Sequence, residues 1–237
     1  MKGIELALRF SYITNRLRFC GPKEAASEFL SYLNNQDNAD TVEDCLKRFE
    51  GLYPYLSVIA KKAQKDFLDT EVVEAYWIGN DLLEKSTESD IVEIITQLTK
   101  RGLPKSLGEK LIKNLPRGLV PHHNFNVFYV GVGNTTGAVP TTLQNMDNCR
   151  TSWGTVIEVL HEKLIVNTPT LTKSEDNKFI LEDEIKTIIY LPEMIPKIEK
   201  GEIVAIHWGF APMILSSKQL VQIEKYTHLI IDIMNKN

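Results

Sequence analysis

Cysteine is scarce in this chain. There are three in 237 residues, Cys20, Cys45 and Cys149, an odd number at wide spacing that makes no disulfide framework. The expected setting is a reducing cytoplasm. Charge of one sign is lacking too: 27 basic against 31 acidic residues leave a formal net charge of −4, which gives no electrostatic case for a nucleic-acid partner. No apolar run approaches the roughly 18 residues a bilayer span needs, so no membrane association is expected. Met1-Lys2-Gly3-Ile4-Glu5 runs straight into an amphipathic pattern without the basic-then-apolar layout of a signal segment. There is no CxxC, HExxH, Walker glycine loop or GxSxG elbow, and Gly131-Val132-Gly133 lacks the third glycine and helix start of a dinucleotide site. Neither nucleotide-dependent chemistry nor a hydrolase triad is supported.

What is present is an ordinary globular composition, 43% hydrophobic and 24% charged, long enough for one large or two small cores. The predicted class is α+β: an all-helical domain over 1–118, then over 119–237 a small antiparallel β-barrel (OB-like) with a C-terminal helix. The first part repeats apolar residues at three-to-four spacing. Helices are predicted at 4–13, 22–34, 41–48, 54–63, 71–84, 90–100 and 106–114. Thr41 and Ser89-Asp90 serve as starts, and Pro22 and Pro54 sit in the first turns.

The character changes at Pro116-Arg117-Gly118. Residues 125–132 read as a β run, 142–149 as a short helix delivering Cys149, and 154–160, 163–170, 178–182 and 185–190 as strands. Residues 203–206, apolar throughout, read as a central covered strand. Ser216-Ser217 opens the final helix, with Leu220, Ile223, Tyr226, Thr227 and Ile230 as its inward stripe.

Chemistry concentrates at Cys149, ahead of the first barrel strand, and His207, at the end of the last long one. If those strands are antiparallel neighbours, thiol and imidazole meet at one barrel end, a suitable ligand pair for iron, zinc or copper. Gly154 and Gly209 are expected to leave room there. Arg150, next to the thiol, would help hold a thiolate. Of the adjacent His122 and His123, at most one faces a given site on an extended chain. Cys20, in the turn Phe19-Cys20-Gly21-Pro22, is a second thiol or a structural turn. Trp77 and Asn80 belong to helix packing or to a pocket.

Cys149, Gly154, Gly201, and His207-Trp208-Gly209-Phe210-Ala211 resemble the small HypC-type hydrogenase maturation proteins over the last third to half of the chain. Two departures stand out: Cys149 follows a whole extra domain instead of an N-terminus, and Trp153 replaces the family's proline. The resemblance implies a non-enzymatic maturation factor. Cys149, supported by His207, would carry or help assemble an iron fragment with diatomic ligands, and the partners would be hydrogenase maturation proteins or the hydrogenase large subunit. The whole chain also resembles an uncharacterised prokaryotic family, through Arg18-Phe19-Cys20-Gly21-Pro22, 72–80 and Pro121-His122-His123. Two other classes stay open. One is a small-molecule or redox metalloenzyme with a pocket between the helical and barrel domains, lined by Cys20, Trp77, a histidine of the pair, Cys149 and His207. The other is a non-catalytic interaction scaffold.

Overall fold

A computed structural model describes residues 1–236. Its helical part comprises α1 (Gly3–Arg16), α2 (Ala25–Asn35), α3 (Ala39–Lys47), α4 (Tyr53–Ala63), α5 (Thr70–Trp77), α6 (Glu88–Thr99) and α7 (Lys105–Lys113), with a 3₁₀ turn at Leu83–Lys85. Local chemistry sets the ends. Pro54 stands in the first turn of α4, the Asp69 side chain accepts from Glu71 N–H at the start of α5, and Thr87 with Asp90 forms a capping box on α6. Thr41 and Ser89 lie inside their helices, so neither is the cap expected of it, and Pro22 precedes α2 by three residues. The helix predicted over 71–84 stops at Trp77. Gly79 turns the chain at φ +98°, where an added Cβ would lie 2.0 Å from the Tyr226 ring.

The run at 125–132 is helical, which corrects the predicted strand. Short helix α8 (His123–Phe125) passes directly into a π-helical turn, Asn126–Gly131. A continuous apolar run carries no periodicity that separates a strand from a buried helix, and Val127, Phe128 and Val130 are all buried. Helix α9 (Leu143–Cys149) then delivers the thiol as predicted, its start capped by the Thr142 hydroxyl.

Five strands follow: β1 (Ser152–Leu160), β2 (Lys163–Lys173), β3 (Phe179–Tyr190), β4 (Ile203–Ile206) and β5 (Phe210–Ala211). The predicted break at 183–184 is absent, and β3 is one strand paired with β2 from Phe179 to Ile189. The order is β4-β1-β2-β3-β5, antiparallel except for the parallel β3–β5 pair. A His207–Phe210 bridge joins the two ends, so the sheet nearly closes into an OB-like barrel. Strand β4 pairs with β1 on one edge. Its other edge bonds to 213–215 through Ala205 N→Met213 O and Leu215 N→Ile203 O, so it is covered as expected.

Helix α10 (Ser217–Lys236) lays Ile223, Tyr226, Thr227, Ile230 and Ile231 inward. Among the described residues, no helix is long and apolar enough to cross a membrane. Helix α1 is buried along most of its length between the other helices and the barrel. Tyr12 packs on Phe210 of β5 at 5.7 Å, and the Arg9 guanidinium donates to the Met194 and Pro212 carbonyls. One continuous apolar cluster therefore contains residues of α1 to α7, of α9, of the barrel and of α10.

Candidate metal centre

Three elements converge where the barrel closes. Cys149 is the last residue of α9, and Arg150 leaves it in an extended conformation straight into β1. His207 follows β4, in a tight reversal to β5 held by His207 N→Phe210 O and Phe210 N→His207 O. Trp208 N–H donates to Asn148 O at 2.6 Å, which ties this reversal to the end of α9. His123 opens α8. The next residue, Asn124, is fully buried and acts as a clamp, accepting from Thr151 N–H at 2.9 Å and donating to Thr227 Oγ1 at 2.9 Å. That clamp fixes α8 against the start of β1 and against α10.

The ligand atoms of His123, Cys149 and His207 lie within 4.8 Å of one another, and all three residues are buried. A tetrahedral ion at roughly 2.0–2.3 Å from each would set them about 3.5 Å apart, so small side-chain rotations close the site. The His123 Nε2 to Cys149 Sγ distance is already 3.8 Å. The group is able to hold a metal ion.

Hydrogen bonding fits the His207 tautomer to that task. His207 Nδ1 lies 3.0 Å from the Phe10 carbonyl, which only accepts, so Nδ1 carries the proton. Its Nε2 lone pair is buried without a partner. The Tyr76 hydroxyl, which donates to Gly51 O at 2.6 Å, lies 2.8 Å from His123 Nδ1, and the opposite ring nitrogen, Nε2, lies 2.8 Å from the Cys149 carbonyl, which only accepts. The two contacts ask for opposite tautomers: a proton on Nε2 donates to the Cys149 carbonyl, whereas a proton on Nδ1 donates to the Tyr76 oxygen and frees Nε2 as a ligand. A cation on Nε2 would select the second, with Nδ1 held by Tyr76 as is usual for metal-binding histidine.

Burial sets the protonation states. Desolvation holds His207 down at about 4 and His123 well below the usual imidazole range, with His207 itself adding to the effect on His123. The same desolvation pushes the Cys149 thiol up to about 12, while the Trp208 indole beside it pulls the other way. Without a cation the cluster is neutral near pH 7, and an incoming metal displaces one proton, that of the thiol.

The group forms part of the wall of a cavity of about 70 Å³, well above the roughly 10–15 Å³ that one water needs. Trp77 and Cys20 line it as well. Trp77 stacks on Phe10 at 4.8 Å and packs against both imidazoles, at 4.5 Å from His123 and 5.2 Å from His207. The Cys20 thiol lies outside the ligand group and donates to Glu50 at 3.3 Å; its burial and that carboxylate raise its pKa. His122 turns away: its Nδ1 accepts from Asn124 N–H at 3.1 Å and its ring stacks on Tyr226.

Other expected contributors stand elsewhere. Arg150 does not support a thiolate: its guanidinium, 1% exposed, points to Asp147 and the Pro169 carbonyl on the far side of the chain. Asn80 lies three residues beyond the end of α5, where its side chain donates to Glu71 O and accepts from Leu82 N–H. Gly154 leaves no room for a ligand, because a Cβ there would meet Ile206 at 2.9 Å and Val166 at 3.1 Å inside the barrel, whereas Gly209 faces open space.

Sequence reading gave Tyr76, Ser11, Thr135 and Trp208 no site role. The structure puts all four on the cavity wall. The π-helical turn after His123 and the φ of +52° at Trp208 are backbone features of a kind that gathers at functional sites. Their only trace in the sequence is Gly209 beside Trp208, as in a tight reversal.

Fold and site together define an α+β protein that encloses a His-Cys-His group where a small barrel meets a helical layer. The chain belongs to a family of unknown function, DUF6390, whose model matches residues 1–237. No curated protein and no solved structure matches it.

Proposed function

We propose that the protein is a metalloprotein of small-molecule chemistry, with one transition-metal ion held by His123, Cys149 and His207 at the wall of a cavity. The observation that carries this is the buried, unpartnered Nε2 of His207, aimed into a cluster with His123 and Cys149 while Phe10 holds its other nitrogen. Two imidazoles and a thiolate suit zinc, ferrous iron or copper. Bound there, such an ion supplies a Lewis acid or redox centre with a position left for a substrate. The chain's own contribution is to orient both imidazoles, through Phe10 O and the Tyr76–Gly51 pair, and to exclude bulk water with Trp77 and Trp208.

The test is metal content after anaerobic purification and after reconstitution with zinc, iron or cobalt. About one ion per chain is expected in the wild type, and loss of that ion in Cys149→Ala and in His207→Ala with the fold retained. A wild type that takes up none of these metals, or variants that keep the full complement, would overturn the reading.

One observation favours a second reading, the iron carrier of a hydrogenase maturation system. Cys149 directly precedes β1 and His207 directly follows β4, so both stand at one end of an OB-like barrel, as the HypC resemblance implies. The partners would be maturation proteins or the hydrogenase large subunit, with the helical layer as a docking module. Against this stands the exposure of Cys149, 9%, since handing an iron fragment to a partner requires the cavity to open. Anaerobic co-expression with the maturation machinery separates the two. Cyanide and carbonyl infrared bands that vanish in Cys149→Ala support the carrier, and their absence in the wild type removes it.

A further inference from the structure

Buried polar side-chain atoms in folded proteins almost always find a hydrogen-bond partner, so a cluster of exceptions marks a place built for something else. Among the described residues nine such atoms lack one. Five belong to residues lining the cavity beside the metal group: Ser11 Oγ, Trp77 Nε1, Thr135 Oγ1, His207 Nε2 and Trp208 Nε1. The His207 nitrogen belongs to the metal group. The other four atoms can donate, and the two indole N–H groups can do nothing else. Trp208 lies beside the Cys149 sulfur, which leaves Ser11, Thr135 and Trp77. These three residues are 1%, 9% and 3% exposed.

The charge balance points the same way. No Asp, Glu, Lys or Arg is among the described residues lining the cavity. A divalent ion with one thiolate and two neutral imidazoles carries a net single positive charge, which burial leaves unscreened. The rest of the wall combines apolar Phe19, Phe49, Leu52, Val132 and Val139 with the uncharged polar Thr14, Asn126 and Thr136.

We propose that the cavity binds a small carboxylate or oxoanion with a short apolar body. Its anionic oxygens take the Ser11 and Thr135 hydroxyls and the Trp77 indole N–H, and its body lies on the aromatic and aliphatic wall. The proposal deepens the metalloprotein reading of the same site and names its substrate class. The donor set is independent of the metal, and the ion adds the positive charge that makes burial of an anion favourable.

Binding of butyrate, butyramide and n-butylammonium tests this, read by tryptophan fluorescence on the full chain, both zinc-loaded and EDTA-treated, with zinc content measured on the same samples. Butyrate is expected to bind, more tightly with zinc present, and butylammonium not to bind. Ser11→Ala and Thr135→Val should each weaken butyrate by about tenfold or more, since a hydrogen bond to a charged group is lost. Neither hydroxyl has a protein partner, so both variants should keep the wild-type melting midpoint. Three results would overturn the proposal: butylammonium binding as well as butyrate, no butyrate binding in either form, or both variants leaving butyrate affinity unchanged. Zinc uptake without butyrate binding would remove this proposal and leave the metal reading standing. Butyrate binding that depends on Ser11 in a protein that takes up no metal would do the reverse.

Discussion

Tyr76 is the residue through which the metal reading is most directly tested. Its hydroxyl sits between the Gly51 carbonyl and His123 Nδ1, so it positions the ring and can accept the Nδ1 proton of the tautomer that a metal on Nε2 requires. Tyr76→Phe keeps the ring packing against Tyr55 and Trp77 and removes only that oxygen. Metal affinity is expected to fall about 10–100-fold, measured by competition with a chromophoric chelator, because a partner of this kind is worth that much to a ligating histidine. An unchanged affinity would leave Tyr76 a packing residue. The histidines also set a pH dependence. Burial holds His122 at about 3 and His207 at about 4, below their ordinary value, so as pH falls the unfolded chain takes up protons first. The stability they provide is complete above about pH 6.5 and is lost on acidification toward those values. Urea unfolding of EDTA-treated protein should show about 2 kcal/mol less stability per histidine at pH 5 than at pH 7, and a flat profile over that interval would contradict their burial as neutral rings. Cys149 and His207 were legible in the sequence because each adjoins a strand end. His123 was half legible, since a pair of neighbouring histidines leaves open which one turns inward. Ser11 was not, because a serine on a buried helix face carries no local mark of what it faces.

At the scale of elements, the link from α9 to β1 depends on a buried ion cluster. Asp147 accepts from Arg150 at 3.0 Å, from Lys186 of β3 at 2.7 Å and from Leu171 N–H of β2 at 2.8 Å. Its carboxylate thus holds the end of the helix that presents Cys149 onto two strands. Asp147→Asn leaves the Arg150 guanidinium, 1% exposed, without its counter-ion, a loss that typically costs about 3–5 kcal/mol. Chemical denaturation should show a drop of that order, accompanied by weaker metal retention; a loss under 1 kcal/mol would mean the cluster is replaceable by solvent. Nothing in the sequence paired Asp147 with Lys186, 39 residues apart, since the pairing exists only once β2 and β3 align. The amphipathic helices and the alternating strands were readable from period alone. The run at 125–132 was not, because its Val, Phe and Tyr content favours a strand and only the surrounding core makes it a helix.

For the whole molecule, the sequence pattern pointed to a change from helix to strand near Gly118, but α8, the π-helical turn and α9 continue the helical part to Cys149, and the strands begin only at Ser152. Period says nothing about how two such parts share a core. Here α1, the first helix of the chain, is wedged against β5 and the 194–212 segment and supplies the Phe10 carbonyl that fixes His207. Helix α10, the last, reaches back to the helical layer through Tyr226 O–H to Asn80 O at 2.9 Å and Gln219 to Glu74 at 2.8 Å. The two chain ends each brace the other part. Residues 1–118 expressed alone would expose the apolar face of α1 that Phe210 and its neighbours cover, and 119–237 alone would lose the Phe10 carbonyl from the site and the cover over Tyr226. Neither fragment is expected to fold by itself, whereas the intact chain should unfold in one cooperative transition, with near-ultraviolet and far-ultraviolet circular dichroism coincident. Mixing the two fragments should restore both the circular dichroism signal and metal uptake, since the interface between them is the core itself. A stable, cooperatively melting 1–118 fragment would show instead that the helical layer is a separable unit and that the cavity lies at a boundary able to open.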